Sequence, residues 1–280
     1  MLSCDIKIGK MDTRFWGPSG WLFLHQITFA YDSSKYKSVH TLFSMVPYVL
    51  PCKFCRASLT EYMRKDPLEP ALASKDLLTQ WLYRIHNQVN AKLRNQGQTT
   101  GPDPSFESVK KFYEDTLASG CSQTIFPGWE FLFSIAENHP FASQTRNSLP
   151  MPDAPLRVSG MTMEQLNELN LLNPEERFPF YKKFWISIAD TLPYAEWIPL
   201  WKQSIQKAKF IKSIRSRKDL VKALWKVRCS MESVFDLKNR TKFADLCFAL
   251  ASHRSGCSKS TRAITCRKLR ERKTSTRKTK

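Results

Sequence analysis

Apolar side chains recur along most of this chain with the three- and four-residue spacing of amphipathic helices. From Phe15 onward Trp21, His25 and Thr28 share one face of a predicted helix, and a second apolar segment covers residues 39–49. A longer helix is predicted after Ser74, because serine is a preferred helix cap. Its apolar stripe consists of Leu78, Trp81, Leu82, Ile85, Val89 and Leu93. There is little sign of strands, so the pattern predicts an all-α fold.

Two further helices complete the first part of the chain. One begins at a cysteine pair and continues to about Lys65, before Pro67. The other covers residues 106–117, after a loop rich in glycine and proline at 95–104. Residues 14–118 are therefore expected to form a bundle of four helices with a short fifth helix.

Helical patterns also fill most of the remaining chain. After an apolar segment at 125–138 and a connection rich in proline, serine and asparagine, helices are predicted at 162–171, 174–190, 194–214, 219–234 and 242–253. We find no chemical motif there, and the tryptophans are most simply core residues. The predicted organisation is a flexible leader (1–13), the bundle (14–118), a connecting helix and linker (119–155), a second helical domain (156–253) and a disordered tail (254–280).

The charge of the chain is strongly positive. The formal net charge is +19, and the tail from Arg254 onward holds eleven lysines and arginines against one acid, Glu271. Such a tail can attract polyanions, although a purely solubilising tail has the same composition. No secretory signal and no membrane span are predicted, so we expect a soluble cytoplasmic protein, in which a disulfide is more often catalytic than structural.

The cysteine pair at Cys52 and Cys55 lies one helical turn apart, directly after Pro51. Two thiols at this spacing can form and open a small disulfide, and a helix N-terminus at Cys52 would stabilise a thiolate. The same spacing is also half of a zinc site, but no other cysteine or histidine has a paired metal-ligand spacing. A thioredoxin fold is a weaker interpretation still, because the surroundings are helical.

Several polar side chains follow Trp81 on the long fourth helix. His86 and Asn90 share one face, Asn87 lies beside them, and Lys92 follows. Imidazole and amide groups next to an aromatic ring suit a flat heterocycle with hydrogen-bonding edges, and a lysine can reach a pyrophosphate. A solvated helix face is the simpler alternative for these polar residues.

Three motifs in this part of the chain resemble the Erv/ALR family of FAD-linked sulfhydryl oxidases. The first reads Trp16-Gly17-Pro-Ser-Gly-Trp21-Leu-Phe-Leu24-His25, and the second is the Pro-Cys-x-x-Cys. The third reads Trp81-Leu-x-x-x-His86-Asn87-x-Val89-Asn90-x-Lys92-Leu93. They occur in the family's order and cover a little over a third of the chain.

The resemblance implies a helical bundle that binds FAD, usually as a homodimer. It implies FAD contacts by Gly17, Trp21, His25, Trp81, His86, Asn87, Val89, Asn90 and Lys92. Cys55 would lie against the isoalloxazine, and Cys52 would exchange with protein thiol substrates. Electrons would pass through the two cysteines and FAD to O2, giving H2O2, and no metal would take part.

The chain departs from the family pattern at two places. Many members carry a cysteine shortly after the Trp-Leu of the third motif, in a disulfide that tethers the fifth helix. This chain has Tyr83 and Arg84 there, and the next cysteine is Cys121, so that disulfide is expected to be missing. A tyrosine often found after the first motif is Phe29, which puts one cofactor contact in doubt.

We predict different roles for the cysteines other than Cys52 and Cys55. Family members often have a second, mobile cysteine pair, for which Cys257 and Cys266 in the basic tail are the candidates. A static disulfide or inert tail thiols are the alternative for this pair, and Cys4 is interpreted as a lone thiol. The remaining three lie in apolar surroundings and are predicted to be buried and inert: Cys121, Cys229 and Cys247.

A large helical region after an Erv-like domain is similar to the sulfhydryl oxidases of large nucleocytoplasmic DNA viruses. That resemblance implies disulfide formation in virion proteins, in the host cytoplasm and the virion. The rival hypothesis is a basic protein that binds nucleic acid or builds the virion on a degenerate oxidase fold. The tail favours the rival, and the intact cysteine pair favours the enzyme.

Overall fold

A computed structural model describes residues 10–11, 13–95, 101–142, 162, 164 and 170–255. Helices dominate this part of the chain, so the predicted all-α fold is confirmed. The N-terminal helices are α1 (Thr13–Phe29), α2 (Tyr36–Val49), α3 (Lys53–Lys65), α4 (Leu68–Ala71), α5 (Lys75–Asn95) and α6 (Phe106–Ala118). The C-terminal helices are α7 (Trp129–Glu137), α8 (Pro174–Thr191), α9 (Trp197–Lys207), α10 (Phe210–Ser213), α11 (Arg217–Phe235) and α12 (Phe243–Ser252).

The bundle consists of α1, α2, α3 and α5, and α6 packs beside α1 as the fifth helix. The local signals act as predicted. Cys52 is the extended residue before α3, and the Ser74 hydroxyl accepts a hydrogen bond from the Leu77 amide at the start of α5, at 3.2 Å. Trp81 fills the centre of the bundle, edge-on to Phe43 at 5.6 Å between ring centroids.

The C-terminal helices pack directly on the bundle. Helix α8 lies along α2, and α7 lies between α1 and α11. Tyr48 of α2 stacks on Phe180 of α8 with 3.9 Å between ring centroids. The buried apolar residues of both parts form one continuous cluster from Trp16 to Leu250. Helix α8 therefore rests against the helix that leads into the cysteine pair. The proposed division into two domains stays a prediction.

Two short strands join the ends of the described chain. Lys10–Met11 pairs antiparallel with Arg254–Ser255, and Phe15 stacks on His253 with 4.5 Å between ring centroids. These four strand residues belong to the predicted leader and tail, whose other residues lie outside the described ranges, apart from Thr13. No helix in the described ranges combines the length and apolar character needed to cross a membrane.

One predicted helix needs correction, and another lies mostly outside the described residues. The single helix predicted at 194–214 is two helices, because Lys209 has φ 51° in the left-handed region and ends α9 before α10 begins. The predicted helix at 162–171 lies outside the described residues except at 162, 164, 170 and 171.

The prediction that Cys121, Cys229 and Cys247 are buried was wrong. Cys229 is exposed, and Cys121 and Cys247 are partly exposed. In α11 the core-facing side chains include Val227 and Met231. Each lies two positions from Cys229, which places Cys229 on the opposite face of the helix.

Candidate functional site

The cysteine pair lies at the first turn of α3. Cys52 precedes the helix with φ −113° and ψ 125°, and it is buried with 2% of its surface exposed. Cys55 lies one turn later and is partly exposed. Both sulfurs are therefore close to a helix N-terminus, where the backbone dipole favours a thiolate. Cys55 is the more accessible of the two, although the resemblance assigns exchange with substrates to Cys52.

Arg56 follows the pair and is buried beside it, with 8% of its surface exposed. Its Nη1 donates to the Leu50 carbonyl oxygen at 2.9 Å. Burial lowers the pKa of Arg56 to about 10, while the nearby sulfurs of Cys52 and Cys55 act in the opposite direction. A cation thus lies next to both sulfurs of the cysteine pair.

A pair of histidines joins α1 to α5. His25 Nε2 and His86 Nδ1 are 3.2 Å apart, and Trp21 stacks on the His86 ring with 4.0 Å between centroids. Burial lowers the pKa of His25 to about 3, with a smaller contribution from His86. Burial also lowers the pKa of His86 to about 4, although Asp103 acts in the opposite direction. Both rings are therefore neutral near neutral pH.

These histidines form one wall of a cavity of about 300 Å³ between α1, α5 and α6. This volume is at the lower end of the range of ligand pockets. The cavity is lined by His25, Tyr83, His86, Asn87, Asn90, Pro104, Ser108, Val109, Phe112 and Tyr113. Four of these ten were predicted as cofactor contacts from the motifs.

The opposite wall comes from α6 and the segment before it, and the sequence analysis missed it. Tyr113 is buried and stacks on His25 and on Phe29 with 5.0 and 5.1 Å between centroids. Asp103 accepts hydrogen bonds from Asn90 Nδ2 at 2.8 Å and from Arg94. The amphipathic pattern of residues 106–117 contained a signal, since an aromatic ring on its inner face was available to pack against the bundle.

The other predicted contacts lie apart from this cavity wall. Trp81 is 1% exposed and its Nε1 donates to the Asp66 carbonyl oxygen at 2.8 Å, as a core residue does. Lys92 Nζ donates to Ser58 Oγ of α3 at 2.6 Å, which directs this cation toward the redox helix. Gly17 and Val89 are not among the residues that line the cavity.

The arrangement fits a flat aromatic heterocycle, which is the part of FAD that the resemblance implies. His25 Nδ1 is buried without a hydrogen-bond partner in the described residues, so the site holds an unused polar group. The cavity is lined by neutral imidazole, phenol and phenyl rings and by two asparagine amides. Lys92 supplies a cation between this helix and α3.

Two predictions from the sequence, the absence of a metal and the shuttle cysteine pair, stay predictions. In the described residues no group of three or more histidine, cysteine, aspartate or glutamate side chains is arranged to hold a metal ion. Cys4, Cys257 and Cys266 lie outside the described residues, so the shuttle pair stays a prediction.

Comparison with known proteins gives matches to the N-terminal part of the chain. Residues 18–112 match the family model described as the Erv1 / Alr family. A probable FAD-linked sulfhydryl oxidase of Acanthamoeba polyphaga mimivirus is 35% identical over 88 residues, which are 29% of this chain and 59% of that protein. A relative from Invertebrate iridescent virus 3, named for the same activity, is 30% identical over 30% of this chain and 60% of its own length.

A eukaryotic relative matches at lower identity. The mitochondrial FAD-linked sulfhydryl oxidase of Saccharomyces cerevisiae is 28% identical over 95 residues, which are 31% of this chain and 48% of that protein. The chain thus spans less than two thirds of the length of each of these relatives. No solved structure shows a significant match.

Proposed function

Because residues 18–112 match the Erv1 / Alr family model, we propose that this chain is an FAD-dependent thiol oxidase whose redox pair is Cys52 and Cys55. The observation that supports this most is the position of the pair at the N-terminus of α3, in a domain whose cavity offers neutral rings and amides to a heterocycle. Lys92, which joins α5 to α3, connects these two features.

The cysteines exchange electrons by ordinary thiol chemistry. A substrate thiolate attacks the Cys52 sulfur, the bond between Cys52 and Cys55 breaks, and Cys55 leaves as a thiolate. A second substrate thiolate attacks the substrate sulfur of the mixed disulfide, so the substrate leaves oxidised and Cys52 leaves as a thiolate. FAD, when bound, supplies the two-electron chemistry that reoxidises the pair and reduces O2 to H2O2. His25, His86, Asn87 and Asn90 would hold its heterocycle.

The roles of the two cysteines can be tested by trapping. Cys52 is 2% exposed and Cys55 is more accessible, so attack at Cys52 requires a local opening at the start of α3. We expect C55S, which retains Cys52, to form a stable mixed disulfide with a substrate whose thiol is activated as its thionitrobenzoate disulfide, because the Cys52 thiolate attacks the substrate sulfur and thionitrobenzoate leaves, and we expect C52S not to do so. Accumulation only in C52S would reverse the assignment.

The oxidase itself is tested by the visible spectrum of the purified protein. A flavin spectrum that bleaches with dithiothreitol under nitrogen, and returns with production of H2O2 in air, is the expected result. C55S should abolish turnover, whereas C229S, which changes an exposed cysteine outside the site, should leave it unchanged. A protein that neither carries nor can be reconstituted with flavin would refute the proposal.

We extend this proposal to the substrates and their location. The viral relatives support a role in forming disulfides of virion proteins in the host cytoplasm. We also propose the homodimer that the resemblance implies, which sedimentation at several protein concentrations tests. Mixed disulfides of the C55S variant, recovered from infected cells and identified by mass spectrometry, would test the substrates. Only host proteins among them would contradict the viral role.

Binding to nucleic acid is a second candidate function, which a basic surface on α9, α10 and α11 supports. These helices pack against one another. They and the segments joining them expose Lys207, Lys209, Lys212, Arg215, Lys218, Lys222 and Lys226. In α11 the last three recur every four residues, so they form one stripe about 12 Å long. Among the described residues, none of these seven cations has an ion-pair partner.

This second function is tested by the salt dependence of binding to a fluorescent duplex DNA. The triple variant K218E/K222E/K226E should weaken binding and reduce the slope of log K against log salt by up to about 2.7, since each lost phosphate contact changes it by about 0.9. The matched control changes lysines that already have acidic partners, Lys65, Lys110 and Lys111. An unchanged slope would assign any DNA binding to other residues, including the basic tail.

A further inference from the structure

In the described part of the chain two neighbouring arginines are buried without an acidic partner: Arg56, beside the redox pair, and Arg177, which interacts with Arg56. Arg56 is 8% exposed and Arg177, on α8, is 3% exposed. The Nε atom of each is buried and has no hydrogen-bond acceptor among the described residues. Within the described ranges no carboxylate lies at ion-pair distance from either guanidinium.

This differs from two other arginines in the C-terminal helices, buried Arg228 and half-buried Arg217. Arg228, also 3% exposed, donates from Nε to Glu232 at 2.6 Å. Arg217 is paired with Glu137 at 2.8 Å. Burying a cation is costly unless an anion or several acceptors lie close. An anion that is present only in one state of the protein would explain why no carboxylate is provided.

Two contacts, made by residues before and after Arg177, hold this part of the chain against α3 and the end of α2. Asn170 Nδ2 donates to Thr60 Oγ1 of α3 at 2.6 Å, and Thr60 Oγ1 in turn donates to the Arg56 carbonyl oxygen at 2.9 Å. Phe180, three positions after Arg177 and on the same side of α8, stacks on Tyr48 at 3.9 Å. The segment that carries Arg177 thus contacts the end of α2, which precedes the turn at Cys52, and α3, which follows it.

The electrostatic surroundings agree with this placement. Burial lowers the pKa of Arg177, and the Arg56 charge lowers it further. Arg56 in turn interacts with both Cys52 and Cys55. Other titratable groups near the cluster include Tyr62, which interacts with Cys55, and Tyr181 and His139, which interact with Arg177. Burial, and to a smaller extent the Arg177 charge, lowers the pKa of His139. Both phenols are neutral near neutral pH, since burial raises the pKa of each.

The sulfurs of the redox pair can supply such an anion, because only the reduced pair can form a thiolate. In the disulfide neither sulfur is charged. When a substrate dithiol transfers two electrons, the bond between the sulfurs breaks, and each sulfur then becomes a thiol or a thiolate according to its pKa. A neighbouring guanidinium lowers the pKa of a thiol, so one proton fewer is taken up at neutral pH.

We propose that Arg56 and Arg177 form a guanidinium pair that stabilises the thiolate of the reduced Cys52–Cys55 couple, which makes α8 part of the redox centre. This inference rests on the proposed redox role of the two cysteines and not on the bound flavin. Both arginines are positioning residues. By stabilising the reduced form they make the disulfide a stronger oxidant of substrate thiols.

The thiolate is measured directly by the pH dependence of iodoacetamide alkylation of the reduced full-length protein. Trypsin cleaves after Lys53 and Arg56, so mass spectrometry reports Cys52 and Cys55 on separate peptides. We expect R177M to slow alkylation of the more reactive cysteine about tenfold at neutral pH and to raise its midpoint by about one pH unit. R177K, which retains the charge, should restore most of the rate.

The matched control is R228M, which removes an equally buried arginine from the same helical region. It should lower stability, because it leaves Glu232 buried without a partner, without moving the alkylation midpoint. R177M removes a buried charge that has no carboxylate partner, so it should fold with the same circular dichroism spectrum. In a dithiothreitol redox titration R177M should shift the equilibrium constant about tenfold toward the disulfide, which corresponds to 29.6 mV.

An unchanged midpoint in folded R177M, or an equal shift in R228M, would overturn the inference. The outcome is separate from that of the oxidase assay, because alkylation needs neither flavin nor O2. A thiolate that depends on Arg177 in a protein without oxidase activity would sustain the inference and refute the proposed function. An active oxidase with an ordinary cysteine midpoint in wild type and R177M would do the reverse.

Discussion

Acidification should destabilise this protein through the histidine pair in its cavity. His25 is 1% exposed and its Nε2 lies 3.2 Å from His86 Nδ1, so the two rings cannot both be protonated without a strong repulsion. Burial lowers the pKa of His25 to about 3 and that of His86 to about 4. In the unfolded chain a histidine binds its proton near pH 6.5.

The sign and size of the effect follow from these values. As the pH falls below about 6.5 the unfolded state gains protons and the folded state does not, so stability is lost from there down to the folded pKa values. One such histidine contributes about 1.4 kcal/mol per pH unit in this window. With a discount for the water that reaches half-buried His86, we expect about 2 kcal/mol per pH unit from the pair.

Urea unfolding at a series of pH values measures this slope. His139 also has a pKa lowered by burial and contributes to it, so the informative quantity is the difference between wild type and H86Q. Glutamine can still hydrogen bond to His25 but does not titrate, and the slope should fall by about 1 kcal/mol per pH unit. H253Q, at an exposed histidine, is the matched control. Equal slopes for wild type and H86Q would contradict the reasoning.

Three further predictions concern single side chains around the site. W81F removes the hydrogen bond to the Asp66 carbonyl and should lower the free energy of unfolding by about 1 to 3 kcal/mol in urea, while flavin binding by absorbance is retained. K92M should weaken flavin binding about tenfold through loss of a phosphate partner, whereas S58A, which removes only the Lys92 acceptor, should not. Y113L should cost about 1 to 3 kcal/mol of stability through loss of ring stacking and burial, and Y113F, which keeps the ring, much less. Equal effects of K92M and S58A, or of Y113L and Y113F, would contradict the second and third predictions. Loss of flavin from folded W81F would contradict the first.

The helices could be predicted because their signals are local. Ser74 caps α5, Cys52 begins α3, and the apolar stripe of α5 is buried at Leu78, Trp81 and Ile85. The same local character explains the main error. Residues 194–214 have a helical pattern throughout, but Lys209 takes a left-handed conformation, which the packing of α9 and α10 requires and no local pattern signals.

The motifs identified one side of the candidate site only. Spacing was enough to group His86 with Asn90 on one face of α5, whereas His25 was assigned to the site only by the resemblance of its motif to the family. Tyr113 and Asp103 complete the cavity from α6 and its preceding segment, and their positions depend on how that helix packs. Arg177 shows the same limit, since it comes close enough to interact with Arg56 only because α8 lies along α2.

The missing family disulfide shows how packing can replace a covalent tether. Tyr83, near the position where many relatives have the cysteine, donates its hydroxyl to the Pro104 carbonyl oxygen at 2.7 Å. Asp103 is held by Arg94 through two hydrogen bonds, at 3.0 and 2.8 Å, and Tyr113 inserts its ring beside His25. These contacts fix both the start of α6 and its inner face against α5 and α1. A cavity wall built from reversible contacts does not depend on the redox state of a structural cysteine pair. Under the proposed function, therefore, Cys52 and Cys55 would be the only pair in residues 14–118 that responds to thiols.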